Sequence, residues 1–212
     1  SLHGNMFPLA FDLVPAGKKQ NVVDFIQTRG MACSVYGSQF LMDALYEAND
    51  AEYALHMLTK TDDRSWYNMI RVGSTISLEA WDNKYKPNQD WNHAWGAAPA
   101  NIIPRRLMGV VPTEPGFSRI EIRPQPAGLE KASLRIPTIR GDVETAFENT
   151  PDRFTLTTVV PANVKADVYL PLPAGTPTFG YESAKDKGAV IARAVYVDAR
   201  TSGNWFVLAA MG

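Results

Sequence analysis

The chain has 212 residues, enough for one large domain or two modest ones. Hydrophobic residues make up 45% and charged residues 20%, the balance of an ordinary soluble globular protein. The net charge of −1 gives no electrostatic basis for binding nucleic acid or an anionic membrane surface. No run reads as a signal peptide or a transmembrane helix. The first residue is Ser, so any targeting signal would lie upstream, and the compartment, cytoplasmic or exported, is left open.

In chain order, the first hundred residues read as helices. Between Gly17 and Gly30, Val22, Phe25 and Ile26 fall on one face, and Gly30 is placed as a stop. Cys33 is the only cysteine, which excludes an internal disulfide and a cysteine metal cluster; its setting, MACSV, reads as core. Leu41, Ala44, Leu45 and Ala48 give a second helical face ending at Asn49. Asp50 is read as the N-cap of a third helix, with Ala54, Met57 and Leu58 inward. Ser65 caps a short helix carrying Trp66, Met69 and Ile70. Trp91 to Gly109 is expected to be helical, broken or kinked by Pro99 and Pro104. Short connections between these segments predict helical hairpins. After Pro112 the period changes from helical to alternating. Ile120/Ile122, Phe154/Leu156/Thr158 and Ala166/Val168/Leu170 alternate, and strands are also expected over Gly141–Phe147, Val190–Asp198 and Trp205–Ala209. Trp205 is expected in the core. The chain is therefore read as a helical domain over 1–111 and an antiparallel β-sandwich over 112–212.

Chemistry concentrates in Thr75 to Gly96, TISLEAWDNKYKPNQDWNHAWG. Three of the five tryptophans lie here, beside carboxylates, an amide and an imidazole. Such a set suits carbohydrate, because rings stack on sugar C–H faces while polar groups fix the hydroxyls. Glu79 lies between Leu78 and Ala80, and an apolar setting raises a carboxyl pKa, so His93 or Asn92 is expected to compensate by hydrogen bonding. His93 has two open roles, a bond to a sugar hydroxyl or to Glu79. Trp81 is expected as the stacking wall. Trp91 and Trp95, one helical turn apart, would share a face, one lining the pocket and the other in the core. Asp82 either contacts a hydroxyl or caps the following turn, and Trp66 and Tyr67 could reach the same mouth. His3 and His56 are not read as metal ligands. No phosphate loop, zinc site or nucleophilic Ser or Cys constellation is visible, and no cofactor is implied.

Four blocks carry a resemblance to a known family. Leu78–Glu79–Ala80–Trp81–Asp82 resembles the glutamate-bearing loop of the bacterial α-L-rhamnosidases, where a W-E-x-W-D pattern recurs. Asp90–Trp91–Asn92–His93 followed by WGAAPA is similar to the segment after that loop. Leu107 to Val110 with Pro115–Gly116–Phe117 and Ile122 to Pro126 resembles the passage into the family's C-terminal β-domain, and Phe154 to Pro173 resembles that domain itself. Leu78 and Ala80 depart from the Trp and Arg common in the family at those positions.

The resemblance implies an α + β protein of two domains. Residues 1–111 would be the C-terminal half of an (α/α)6 toroid of helical hairpins, and 112–212 its β-sandwich. It also implies an inverting glycosidase acting on terminal α-L-rhamnose. Glu79 would be the general base, and Trp81, Asp82, Trp91, Asn92 and His93 would contact substrate. No acidic block is found to supply the general acid, so that group is expected upstream. The partners implied are a rhamnoside substrate and either the missing N-terminal catalytic segment or a second copy of the chain. A non-catalytic carbohydrate-binding fragment and a six-hairpin glycosidase of different sugar specificity are the alternatives.

Overall fold

A computed structural model describes residues 1–151, 153–172, 178–186, 189–197 and 204–211, with side chains described as far as residue 171. It divides into two compact units, Ser1–Ile102 and Ile103–Gly212.

The first unit is helical. Its elements are α1 (His3–Ala10), α2 (Lys19–Arg29), α3 (Ser38–Glu47), α4 (Ala51–Thr59), α5 (Trp66–Arg71) and α6 (Ala98–Ile102). The centre is α3, which is buried from Leu41 through Tyr46 and packs against α1, α4 and α6. A helix enclosed on all sides is apolar beyond one stripe, as Leu41, Met42, Ala44 and Leu45 show. The α2 helix ends at Gly30 as expected, but Val23 and Ile26 form its buried pair, with Val22 and Phe25 on the flanks. In α5, Ser65 caps as expected by accepting from the Asn68 N–H at 3.0 Å. Met69 of that helix is buried, whereas Ile70 is exposed.

Two expectations for this unit are corrected. The Asp50 side chain does not cap α4; its carboxylate accepts instead from the Gln27 side-chain amide at 2.8 Å, tying α4 to α2. The stretch from Trp91 to Gly109, expected to be helical with a break or kink at Pro99 and Pro104, is non-helical at its start and then changes helix type, with Pro99 inside α6. It is a bend over 91–93, a 3-10 turn over Ala94–Ala97, the short α6, and a π-turn over Ile103–Leu107 that contains Pro104. Pro104 cannot donate into an α ladder, and the wider turn accommodates it. No helix among the described residues is long and apolar enough to cross a membrane.

Among its described residues the second unit holds nine strands: β1 (Val110–Pro112), β2 (Arg119–Ile122), β3 (Lys131–Thr138), β4 (Gly141–Asn149), β5 (Arg153–Val160), β6 (Lys165–Leu172), β7 (Thr178–Asp186), β8 (Ala189–Val197) and β9 (Asn204–Met211). They form two sheets, ordered β1-β2-β6-β9 and β3-β4-β5-β8-β7. Each buries one face, carried by Ile120, Ile122, Ala166, Val168 and Leu170 in the first and Val143, Phe147, Phe154 and Leu156 in the second. The unit is antiparallel-rich but not wholly antiparallel, since β2 pairs with β6 in parallel, Ile120 opposite Ala166. The physical reason is the excursion between them. The chain builds β3, β4 and β5 in the other sheet and returns in its original direction, a crossover long enough for parallel pairing. Arg119 locks that pair with a two-pronged bond to Asp167 at 2.8 and 2.9 Å. Gly109 precedes β1 at φ +74°, where its carbonyl accepts from the Arg123 N–H, and a Cβ would fall on the Arg123 backbone. Asp198, the expected end of one strand, and the side chain of Trp205 lie outside the described residues.

Candidate functional site

Glu79 sits in a long loop between α5 and α6, within the first unit. The loop doubles back on itself, so that Ser77–Ala80 runs beside Gln89–His93. Backbone and side-chain bonds join the two segments. The Glu79 N–H donates to the Asp90 carbonyl at 3.0 Å, the His93 N–H to Ser77 at 2.9 Å, the Ser77 hydroxyl to the His93 carbonyl at 2.8 Å, and the Ala80 N–H to Gln89 Oε1 at 2.9 Å. Gly96 closes the fold-back. A Cβ there would meet the Leu78 carbonyl and come within 2.9 Å of Ser77 Cβ, so only glycine admits this approach. The Trp95 ring N–H donates to the Glu79 carbonyl at 3.2 Å.

Beneath the loop lies a buried support. Leu78 is fully buried. Asn68 of α5, also fully buried, donates its amide to the Trp81 carbonyl at 2.9 Å and to Asp82 Oδ2 at 3.1 Å. The Trp81 ring N–H donates to the Cys33 carbonyl at 2.8 Å, and its ring meets Trp66 edge-to-face at 5.2 Å. Trp66 in turn donates to the Gly96 carbonyl at 2.9 Å. Leu78 and Trp81 therefore anchor the loop on either side of Glu79.

The Glu79 carboxylate emerges above this support with its side chain only 11% exposed. The Lys86 ammonium pairs with Oε1, and the Asp90 N–H donates to Oε2 at 3.0 Å. Its pKa is therefore held below the ordinary carboxylate value, chiefly by the Lys86 hydrogen bond and then by the Asp90 N–H; burial opposes this, and the nearby His93 ring adds a smaller favourable effect. Burial does push this carboxyl upward, as expected, and the compensation outweighs it. That compensation is not supplied by Asn92, which is exposed in the bend. It comes chiefly from a lysine and a backbone amide, with a smaller contribution from His93.

The other expected site residues separate into two groups. Trp91, Asn92 and His93 follow directly after Asp90 on the segment beside Glu79, and a His93 ring nitrogen lies within 4.8 Å of the Glu79 carboxylate. The indoles of Trp91 and Trp95 are both 42% exposed, and the His93 ring lies 4.1 Å from that of Trp95. Trp91 and Trp95 do not share a helical face, because residues 91–93 are not helical. Trp81 is 2% exposed, so it is a wedge in the core and offers no stacking face; its loop position hid the distant partners Cys33 and Trp66. Asp82 takes the turn-capping role, accepting from the Lys84 N–H at 3.1 Å as well as from Asn68. These bonds hold its carboxyl below the usual range, the Asn68 amide first. Trp66 is partly enclosed and Tyr67 exposed. Missing from the expectation was Tyr36, whose half-exposed ring packs 5.4 Å from Trp95. An aromatic next to a glycine was its one visible signal.

Glu79, Asp90 and His93 bring three ligand-type atoms within 4.8 Å of one another. The Lys86 ammonium already stands where a cation would meet Glu79, so the donor set suits an ion pair better than a metal. The same closeness matters for acid–base chemistry. Two carboxyls that flank a sugar and a water lie roughly 6.5–9.5 Å apart. Asp90 offers a carboxylate oxygen within 4.8 Å of Glu79, nearer than that spacing, and donates its own backbone N–H to Glu79. A wide groove lined by Gly30, Tyr53, His56, Arg64 and Tyr85 does not include Glu79. The position of the reactive groups, not groove size, locates the site.

Comparison with known proteins gives a consistent set. Residues 1–107 match the bacterial α-L-rhamnosidase six-hairpin glycosidase domain, and 109–182 match the bacterial α-L-rhamnosidase C-terminal domain. The α-L-rhamnosidase of Alteromonas sp. (strain LOR) is 28% identical over 182 residues, which cover 78% of this chain and 20% of that protein. The structure of an α-L-rhamnosidase from Dictyoglumus thermophilum superposes with a TM-score of 0.76 at 22% identity, covering 93% of this chain and 25% of its own. That of the Streptomyces avermitilis α-L-rhamnosidase complexed with L-rhamnose gives 0.75 at 21% identity, covering 93% and 21%. At these identities the two structures establish the shared fold. The chain spans about a fifth of the length of the curated relative.

Proposed function

The chain belongs to the bacterial α-L-rhamnosidase family, and on that premise we propose that it carries the general base of an inverting cleavage of terminal α-L-rhamnose. The observation that carries this proposal is the Glu79 carboxylate. Its pKa is held below the ordinary range, it is pinned at both oxygens, and it stands beside the paired rings of His93 and Trp95. A carboxylate has about four lone-pair directions, so two remain to accept a proton from water after Lys86 and Asp90 are counted.

In the proposed reaction Glu79 removes a proton from a water that attacks the anomeric carbon. A carboxylic acid on the opposite face protonates the departing oxygen, and the product has the inverted anomeric configuration. Asn92 and His93 orient the sugar or the water, and Trp91 provides an apolar wall. Trp81 and Asp82 act indirectly, by anchoring the loop. In this reading the acid comes from a segment outside this chain, as it would if residues 1–111 form half of a helical ring. The β-domain over 112–212 is assigned no chemistry.

The test is hydrolysis of an aryl α-L-rhamnoside, with the first-formed anomer read by NMR. The 212-residue chain alone is expected to be silent. A longer polypeptide that adds the upstream ring segment is expected to release the inverted sugar. Release of the retained anomer contradicts the mechanism. Turnover only on another glycoside redirects the sugar assignment, and binding without turnover favours a carbohydrate-binding fragment.

A further inference from the structure

We propose that Lys86 is a positioning residue for Glu79, orienting the carboxylate and setting the acid limit of the reaction. The inference rests on the assignment of Glu79 as base and extends it to a residue that the loop sequence KYKPNQD presents as an ordinary solvated charge.

The geometry is specific. Lys86 bonds Oε1 while the Asp90 N–H holds Oε2, so the two donors fix the rotation of the carboxylate plane. The lysine is itself constrained. Its residue lies in the turn that begins at Asp82, where the Tyr85 N–H donates to the Asp82 carbonyl at 3.0 Å and the Gln89 N–H to the Lys86 carbonyl at 3.1 Å. The ammonium is therefore delivered by ordered backbone, not by a free tether. The groups facing Glu79 are Lys86, the Asp90 backbone and carboxylate, and His93. Among them Lys86 is the strongest influence favouring the ion, while the Asp90 carboxylate stands alongside as a like charge.

Removing the ammonium has two consequences. The carboxylate loses one of its two tethers, and misplacement of a reacting group by about 1 Å can cost on the order of 10²-fold. It also loses its nearest opposite charge, so it protonates at higher pH. An arginine at the same place restores the charge but not the compact single-point contact.

The experiment has two readouts. In the 212-residue chain, ¹³C NMR follows the carboxyl titration of Glu79, assigned by its loss in Glu79→Gln. Lys86→Met is expected to move the midpoint upward and Lys86→Arg to leave it low. In the longer, active polypeptide, Lys86→Met is expected to lower kcat roughly ten- to hundred-fold and to move the acid limb of the kcat profile upward, with KM little changed. Lys86→Arg recovers most of the limb. An unchanged midpoint in folded Lys86→Met overturns the pairing. A moved midpoint with unchanged kcat and acid limb overturns the positioning role. If Glu79→Gln itself keeps full turnover, the base assignment fails instead, and the NMR titration shows the pairing separately.

Discussion

Trp81→Ala separates a structural anchor from a sugar-stacking wall. The indole is 2% exposed, meets Trp66 edge-to-face and donates to the Cys33 carbonyl. Truncating an enclosed aromatic to alanine costs about 3–5 kcal/mol, part of which is the cavity left behind. The Cys33 carbonyl also loses its donor, which places the expectation in the upper half of that range. A unit of about 100 residues shifts in Tm by roughly 4–8 °C per kcal/mol, so the first unit is expected to melt at least ~15 °C lower. The assay is thermal and urea unfolding of the 212-residue chain followed by far-UV circular dichroism. Trp81→Phe, which keeps a ring but not the N–H, should fall between the variant and the parent. The control is Trp91→Ala, whose exposed ring should change stability by no more than about 0.5 kcal/mol. A loss below ~1 kcal/mol in Trp81→Ala would refute the anchoring argument and return Trp81 to the pocket wall.

Gly96→Ala should disturb the site without touching a reactive group, because its methyl would push on the Leu78 carbonyl next to Glu79. Overpacking of this kind costs about 1–3 kcal/mol, and a full-stability Gly96→Ala chain would show that the fold-back is looser than described. The Cys33 thiol is buried, and burial pushes its pKa up to about 12, so a thiol reagent at mildly alkaline pH should label it only after unfolding. Rapid labelling of the native chain would contradict its burial. Acid should weaken the first unit. Asp63, Glu79 and Asp82 are all held below their ordinary values, Asp63 chiefly by its hydrogen bond from Lys84. Their contribution is present above the unfolded carboxyl values and is lost as pH falls through the lower folded ones. Since Asp63 and its partners are half exposed, salt should reduce that part of the effect; a urea midpoint independent of pH across the acid range would refute it.

How much of this was legible in the sequence depends on the range of the interactions involved. Helical period alone located α3, because Leu41, Ala44 and Leu45 repeat on the face that becomes buried, and Ser65 was recognisable as a cap because capping is a local bond. The alternation of Ile120/Ile122 and Ala166/Val168/Leu170 likewise placed two strands, though not their parallel pairing, which depends on where an intervening excursion returns. Asp50 failed as a cap because Gln27, on another helix, competes for the same carboxylate. The α1 helix was covered only by the general helical reading of the first hundred residues, with no face assigned to it, and it carries Pro8 within it. At the site, Glu79 and His93 could be picked out from residue type and the family pattern. The charge environment of Glu79 could not, since it is set by Lys86 and Asp90, seven and eleven positions onward, brought back by the fold-back of the loop. Trp81 was misplaced for a related reason. Its loop position suggested exposure, whereas its burial is decided by Cys33 and Trp66.

The central claim is that Glu79 is the general base, and its most direct measurement is the steady-state kinetics of Glu79→Gln in the longer polypeptide that supplies the upstream ring segment. Glutamine keeps the shape but cannot take a proton. The account predicts a fall in kcat of roughly 10²–10⁴-fold on an aryl α-L-rhamnoside with little change in KM. A Glu79→Gln enzyme within about tenfold of its parent in kcat would contradict it, since a base that contributes less than that is not carrying the proton.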